Sequence, residues 1–307
     1  MKLSIVTTLF SSENYIQEFY ERASSVANKI VGDDYEIIFV DDGSPDDSLK
    51  IVCNILKKDS HLKVIELSKN FGHHKAMMTG LKNTSGDKIF LLDSDLEESP
   101  EYLQDFFDEM IGTGADVIFG VQDTRKGKKF ERFTGEIFWQ FIKSITGLPF
   151  QKNLSTIRLM TRDYVDALTK HNESEIFIAG LWLITGFKQN SILISKSSKN
   201  NTSYSLRAKL SLLVNSITSF SNKPLVAIFY AGFFISISSL CYIFFLTYSK
   251  FYLMQPLAGW TSVMASVWFL GGLIISFLGI IGIYLSKMFI ETKNRPYTII
   301  KKIHEHA

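Results

Sequence analysis

A chain of 307 residues with 33 Lys and Arg against 31 Asp and Glu has a formal charge of +2, which gives no global attraction for nucleic acid, and no nucleic-acid partner is expected. Two cysteines, Cys53 in a soluble-looking helical stretch and Cys241 in an apolar run, argue against a disulfide framework or a zinc site and fit a reducing compartment. Apolar residues, 46% of the whole, concentrate after Pro224, and charged residues dominate what comes before.

The first ten residues alternate apolar side chains with Ser4 and Thr7 and meet Glu13 at once, which reads as a strand over Leu3–Thr8 and not as a signal peptide. Asn14–Ile30 carries Tyr15, Phe19, Ala23, Val26 and Ile30 on one helical stripe. Glu36–Val40 is a second strand, closed by Asp41-Asp42-Gly43-Ser44, and Pro45-Asp46-Asp47 caps a helix to about Lys58. Leu62–Leu67 is a third strand, Ser68–Gly72 a polar loop and His73–Asn83 a helix. Ile89–Leu92 is a short, wholly apolar run of the kind that forms a buried parallel strand, and Asp116–Gly120 is a fifth strand. Strands alternating with helices predict an α/β domain with a Rossmann-like sheet.

The Ile89–Leu92 strand stops at Asp93-Ser94-Asp95. Ligands of open α/β sheets bind beyond the carboxyl ends of the strands, and two hard oxygen donors there suit Mg²⁺ or Mn²⁺ held partly by a diphosphate. An isolated Asp-x-Asp is more often a solvated acidic turn, but Asp41-Asp42 ends a second strand on the same edge. Neither a Gly-x-Gly-x-x-Gly nor a Walker loop is present, so carboxylates meet the nucleotide here. Two adjacent helical residues point in different directions, so His73 and His74 do not readily share one ion. Glu97 and Glu98 are reserve candidates for a base, with charge complementarity at the following helix N-terminus as their more ordinary use.

Phe130–Ile145 repeats aromatic residues at helical spacing, a pattern more often of packing than of binding. Asp163–Leu168 is a short helix capped by Thr161 or Asp163. Leu206–Phe220 is amphipathic, and serves either as a core helix or as a helix lying in a membrane interface. Leu225–Tyr248 and Ser262–Ser286 are uncharged apolar runs, each long enough to span a bilayer. Lys223 precedes the first, and Lys287, Lys293, Arg295, Lys301 and Lys302 follow the second, which places both termini in the cytoplasm and the Gln255–Trp260 loop outside. The runs carry no ionisable group, which argues against an ion path, and Gly271, Gly272, Gly279 and Gly282 would allow close helix approach.

Leu3–Asn14, Asp41-Asp42-Gly43-Ser44, Asn70-Phe71-Gly72-His73, Asp93-Ser94-Asp95-Leu96-Glu97 and Arg158-Leu159-Met160 occur in the order seen in inverting family-2 glycosyltransferases of GT-A fold. With Ser219-Phe220-Ser221 and Pro224-Leu225, and over nearly the whole chain, the sequence resembles the polyisoprenyl-phosphate glycosyltransferases, which include dolichol-phosphate mannose synthase and bactoprenol glucosyltransferases. The resemblance implies a GT-A domain over residues 1–205, an amphipathic juxtamembrane helix over 206–222, a two-helix transmembrane hairpin over 223–290 and a cytosolic basic tail over 291–307.

It implies transfer of a sugar from a nucleotide-sugar donor, UDP being favoured over GDP, to a polyprenyl phosphate such as undecaprenyl phosphate at the cytosolic face of a bacterial inner membrane. It further implies an Mg²⁺ or Mn²⁺ cofactor and a homo-oligomer, a tetramer. Carried onto these residues, Asp42 contacts the base with Asp41 in support, and Glu13 lies where the nucleotide pocket begins. Asp93 faces ribose or metal, Asp95 faces metal and diphosphate, and Arg158 lies near the phosphates. Lys196, Lys199 and Arg207 are candidates for the lipid phosphate or for anionic headgroups, and His73 faces the acceptor cleft. Many members have an aspartate before the arginine as a proposed base; here the run is Ser155-Thr156-Ile157-Arg158. Processive synthases of the same fold carry Gln-x-x-Arg-Trp and more spans, and the sequence has neither. The alternatives are a membrane glycosyltransferase acting on a glycan or other lipid acceptor, and a sugar-nucleotide-binding membrane protein without activity, the latter supported only by the missing aspartate.

Overall fold

A computed structural model of the chain describes residues 1–122, 153–196, 221–252 and 259–306. The Phe130–Ile145 stripe, the Leu206–Phe220 segment and residues 255–258 of the loop between the apolar runs lie outside the described residues. The described residues fall into two units, one from residues 1–122, 153–196 and 295–306, the other from 221–252 and 259–294.

The first unit is built on a mixed sheet of eight strands: β1 (Leu3–Leu9), β2 (Tyr35–Asp41), β3 (Leu62–Leu67), β4 (Lys88–Leu91), β5 (Val117–Gln122), β6 (Leu154–Thr161), β7 (Gln189–Ile194) and β8 (Ile300–Glu305). Their spatial order is β7-β5-β6-β4-β1-β2-β3-β8. The helices are α1 (Ile16–Val31), α2 (Ser48–Leu56), α3 (His73–Lys82), α4 (Tyr102–Thr113), α5 (Arg162–Leu168) and α6 (Ile178–Ile184). β1 pairs parallel with β2 on one side and with β4 on the other, while β6 runs antiparallel between β4 and β5. The strand order therefore reverses between β1 and β4, the kind of switch point at which open α/β sheets form a ligand crevice.

The first four strands match the apolar runs in the sequence because strands covered on both faces need no alternation. Every residue of β1 is buried, and Phe19 of α1 meets Phe39 of β2 edge-on with ring centroids 5.9 Å apart. The helix that joins β3 to β4 packs closely on β1 and β2. A Cβ on Gly80 of α3 would stand 2.5 Å from Val6 and 2.9 Å from Val40, so only glycine permits this approach.

Three strands go beyond the sequence expectation. β6 and β7 extend the sheet on one side, and β8 closes the other by pairing antiparallel with β3. The segment expected to be a basic tail thus contains an edge strand. Its Lys301 lies 2.5 Å from one oxygen of Glu66 and His304 lies 3.0 Å from the other, which holds Glu66 below its ordinary pKa.

The second unit contains α7 (Lys223–Tyr252), of 30 residues, and α8 (Trp260–Thr292), of 33 residues. At 1.5 Å per residue each exceeds the roughly 30 Å hydrocarbon core of a bilayer. Among the described residues, one stretch, Ser266–Thr292, combines the length and apolarity of a bilayer-crossing helix, with a mean hydropathy of 2.2; the apolar stretch described in α7 is the shorter Lys223–Ile235.

The turn after β2 depends on Gly43, at φ +64°, where a Cβ would lie 2.6 Å from the backbone nitrogen of Asn70. Gly43→Ala must strain the turn and displace the Asn70 loop, at a cost of about 1–3 kcal/mol. A fall in Tm accompanied by weaker nucleotide binding is expected. An unchanged Tm would mean that the two loops are not locked together here.

Candidate active site

The carboxyl ends of β1, β2 and β4 gather a set of acidic side chains that would repel one another without nearby donors. Asp42 is 2% exposed, and its two oxygens accept the backbone N–H groups of Phe71 at 2.7 Å and Gly72 at 3.0 Å. Burial raises its pKa, against the pull of those two donors and His73. The Asn70-Phe71-Gly72-His73 run is thus tied to the end of β2. Asp41, 3% exposed, accepts the Ser44 N–H at 3.3 Å. Burial, with a contribution from the neighbouring Glu66, lifts its pKa to about 6. Glu13 is exposed and accepts the Asp47 N–H at 3.2 Å, while its own N–H donates to Asp46, so it braces the start of α2.

His73 is the first residue of α3 and bridges the switch point. Its Nδ1 is 3.0 Å from the hydroxyl of Thr8 on β1, and its Nε2 is 3.3 Å from Oδ1 of Asp93 just beyond β4. Burial lowers the imidazole pKa, but Asp93, Asp42 and Asp95 outweigh it and the net shift is upward. Asp93 is displaced the other way: burial raises it, His73 and Lys196 pull harder, and its pKa ends low. His74 points elsewhere, its Nδ1 3.3 Å from the carbonyl of Ile176. Between the two aspartates, Ser94 donates to the Thr8 carbonyl at 2.9 Å and fixes the turn. Asp95 accepts the Glu97 N–H at 2.9 Å, and Leu96 between them takes a positive φ of 58°.

Among the described residues no three His, Cys, Asp or Glu side chains converge as a self-sufficient metal site. The donor set nevertheless fits a hard divalent cation that a diphosphate completes, because Mg²⁺ is commonly held by one or two carboxylates plus substrate phosphates. One observation bears on this directly: Oδ1 of Asp93 is buried and meets the His73 Nε2 at 3.3 Å, a long contact that leaves acceptor capacity on the carboxylate for a cation.

Arg158 lies apart from the open edge. It faces Leu91 across the β6–β4 ladder, is 1% exposed, and donates to the carbonyls of Thr156 and Ser155. Its guanidinium stacks 2.9 Å from the centre of the Trp182 ring. Burial lowers its pKa to about 9, so it remains charged at neutral pH. In this structure it is a packed cation two residues from the Asp93 turn in the strand ladder.

Lys196, just past β7, does reach the acidic turn: its Nζ is 3.0 Å from Oε1 of Glu98 and 3.9 Å from Glu97. Glu98 is 0% exposed and also receives the hydroxyl of Ser155. Burial lifts its pKa to about 7, with Asp93 and Asp95 adding and Lys196 opposing. Burial lowers the Lys196 pKa, but Glu98 and Asp93 prevail and hold it above its usual value. The other two proposed acceptor residues, Lys199 and Arg207, lie outside the described residues. The burial of Glu98 had no signal in the sequence, where it is one of two adjacent glutamates before a helix.

The His73–Asp93 pair has a definite pH signature. The charged imidazole contributes stability below its unfolded pKa and loses it as pH rises through the elevated folded value. Asp93 contributes above its unfolded pKa and loses it as pH falls through the depressed one. In the metal-free protein the His73 ring should titrate above roughly 6.5, and Asp93→Asn should bring it down. An NMR titration with an unchanged His73 midpoint in the variant would show that the two groups do not interact.

The description Glycosyl transferase family 2 matches residues 4–169. A Mycobacterium tuberculosis protein described only by class, as a glycosyltransferase, is 50% identical over 304 residues, covering 99% of this chain and 89% of its own. A bactoprenol glucosyl transferase derived from prophage SfII of Shigella flexneri is 28% identical, covering 99% of both chains. Glucosyl-3-phosphoglycerate synthase from Mycobacterium tuberculosis, solved with Mn²⁺, UDP and glucosyl-3-phosphoglycerate, superposes with a TM-score of 0.52 at 17% identity, over 72% of this chain and 80% of the other.

Proposed function

This chain belongs to glycosyl transferase family 2 and is a glycosyltransferase, and on that premise we propose that it moves a hexose from a UDP-sugar to a polyprenyl phosphate at a membrane surface, inverting the anomeric carbon. The observation that carries this reading is one chain that joins a carboxylate-lined switch point to a helix long and apolar enough to cross a bilayer. The full-length similarity to a bactoprenol glucosyl transferase supports the choice of acceptor.

In this reading the β2 end receives the nucleoside, with Asp42 holding the Phe71–Gly72 backbone as one wall and Asp41 beside it. Asp93 and Asp95 would hold a divalent cation, which would supply charge stabilisation to a departing diphosphate. His73 orients Asp93 from Thr8, and Lys196 brings positive charge to the same turn. A phosphomonoester oxygen of the acceptor attacks the anomeric carbon, the bond to the diphosphate breaks, and UDP leaves. That oxygen is largely anionic at neutral pH, since its second pKa is ~6. Positioning is therefore a greater need than deprotonation, consistent with the lack of a carboxylate before Arg158.

The return of the chain supports a two-pass topology. β8 pairs with β3 in the sheet that also holds the N-terminal strands, so the chain between leaves and re-enters on one side and crosses an even number of times. If α8 crosses, α7 is the helix long enough to be its partner. In this proposal the sheet domain faces the cytoplasm of a bacterial cell at the inner membrane, a reading that the lysines and Arg295 at the ends of this stretch support. The tetramer implied by the family belongs to the same proposal.

The test is product formation. Purified protein in detergent, given undecaprenyl phosphate, Mn²⁺ and a panel of UDP- and GDP-sugars, should yield a lipid heavier by one hexose with one UDP-sugar. Chelation should abolish it, and Asp95→Asn should lower turnover by about a hundredfold or more. Turnover onto a soluble glycan instead of the lipid, or full activity of Asp95→Asn, would overturn the reading.

A further inference from the structure

Glu98 is the most deeply buried carboxylate among the described residues, and it lies in the turn that carries Asp93 and Asp95. Its Oε1 receives Lys196 Nζ at 3.0 Å and the Ser155 hydroxyl, and no hydrogen bond reaches its Oε2 among the described residues. Arg158 lies close enough to feel its charge. A glutamine would satisfy the Ser155 hydroxyl equally well, so what the carboxylate adds is a grip on a cation. A buried ion pair is a poor source of net stability compared with apolar side chains of similar volume, because desolvation offsets its attraction.

The pair also has a direction. Lys196 leaves the end of β7, on the far edge of the sheet, and its ammonium is brought back to the β4 turn, where it lowers the pKa of Asp93. Its side chain keeps 22% exposure while Glu98 has none. An ammonium has three N–H donors, and Glu98 accepts along one direction from the buried side. With Glu97 at 3.9 Å, beyond hydrogen-bond reach, the ammonium keeps donor capacity for a second anion.

We infer that Glu98 is a positioning residue that holds the Lys196 ammonium beside the Asp93 strand end, where Lys196 receives the phosphate of the acceptor. The inference rests on the transferase reading above and adds a residue to it. Without Glu98, a lysine stem has several rotatable bonds and the ammonium loses its fixed place. Glu98 touches neither substrate in this scheme, and acts only through Lys196.

A double-mutant cycle tests this with the full-length protein in detergent, UDP-sugar donor, Mn²⁺ and undecaprenyl phosphate. Glu98→Gln, Lys196→Met and the double variant are compared for UDP affinity, acceptor KM and kcat. UDP affinity should stay within about threefold of the parent, while kcat/KM for the acceptor falls about tenfold or more in each single variant. The double variant should be no worse than Lys196→Met, because Glu98 has nothing left to hold. Lys196→Arg, which keeps the charge and the pair, should recover much of the loss.

Additive losses, a uniform fall in UDP affinity and acceptor use in the lysine variants, or unaltered activity in Glu98→Gln would overturn the inference. Should Glu98→Gln fail to bind UDP, the lysine variants decide: arginine as poor as methionine would overturn it, and recovery by arginine would support it. A parent protein that glycosylates no lipid would contradict the transferase reading itself, an outcome distinct from all of these.

Discussion

Carboxylates crowd the carboxyl edge of this sheet, and the rest of the site is arranged by how their mutual repulsion is contained. Asp41, Asp42, Asp93 and Glu98 are each wholly or largely removed from water. Asp42, Asp93 and Glu98 are each met by a different device. Backbone N–H groups from the Phe71–Gly72 loop serve Asp42, the His73 imidazole serves Asp93, and the Lys196 ammonium serves Glu98. Glu66, adjacent to Asp41 in the β2–β3 ladder, is neutralised by Lys301 and His304. Each device also fixes a segment: the loop before α3, the start of α3, the exit of β7 and the C-terminal strand. Electrostatic containment and placement of the site are thus one arrangement, with the Asp93–His73 pair at the switch point.

The C-terminal strand gives this arrangement a second consequence. The end of α8 and the start of β8 are separated only by residues 293–299, so the chain leaving the long apolar helix joins the sheet almost at once. Its basic residues act on Glu66, and Glu66 in turn contributes to the raised pKa of Asp41. The acidic edge is therefore completed by a segment that lies beyond the apolar helices in sequence.

What the sequence made legible follows from burial. β1 to β4 are covered on both faces and read as apolar runs, and Asp41, Asp42, Asp93 and Asp95 could be placed at strand ends because the runs stop there. β8 escaped notice because an edge strand of Ile-Lys-Lys-Ile-His-Glu is largely exposed and reads as basic tail. β6 was hidden by a different cause: it carries Ser155, Thr156 and Arg158, and nothing local reveals that the arginine is buried against Trp182. Lys196 was marked for its charge, but its partner Glu98 could not be found from spacing, since the two are brought together across four strands of the sheet. Long-range pairing of charges was the part that local pattern could not supply.

The most direct test of the account is Mn²⁺ binding by electron paramagnetic resonance, with and without UDP, in the parent protein and in Asp93→Asn. The account predicts weak binding of the ion alone, because the described residues offer too few ligands by themselves, and binding at least tenfold tighter once UDP is added. Asp93→Asn should remove that gain. Tight Mn²⁺ binding without nucleotide, or a UDP-dependent gain that survives in Asp93→Asn, would contradict the claim that this strand end and a diphosphate together form the metal site.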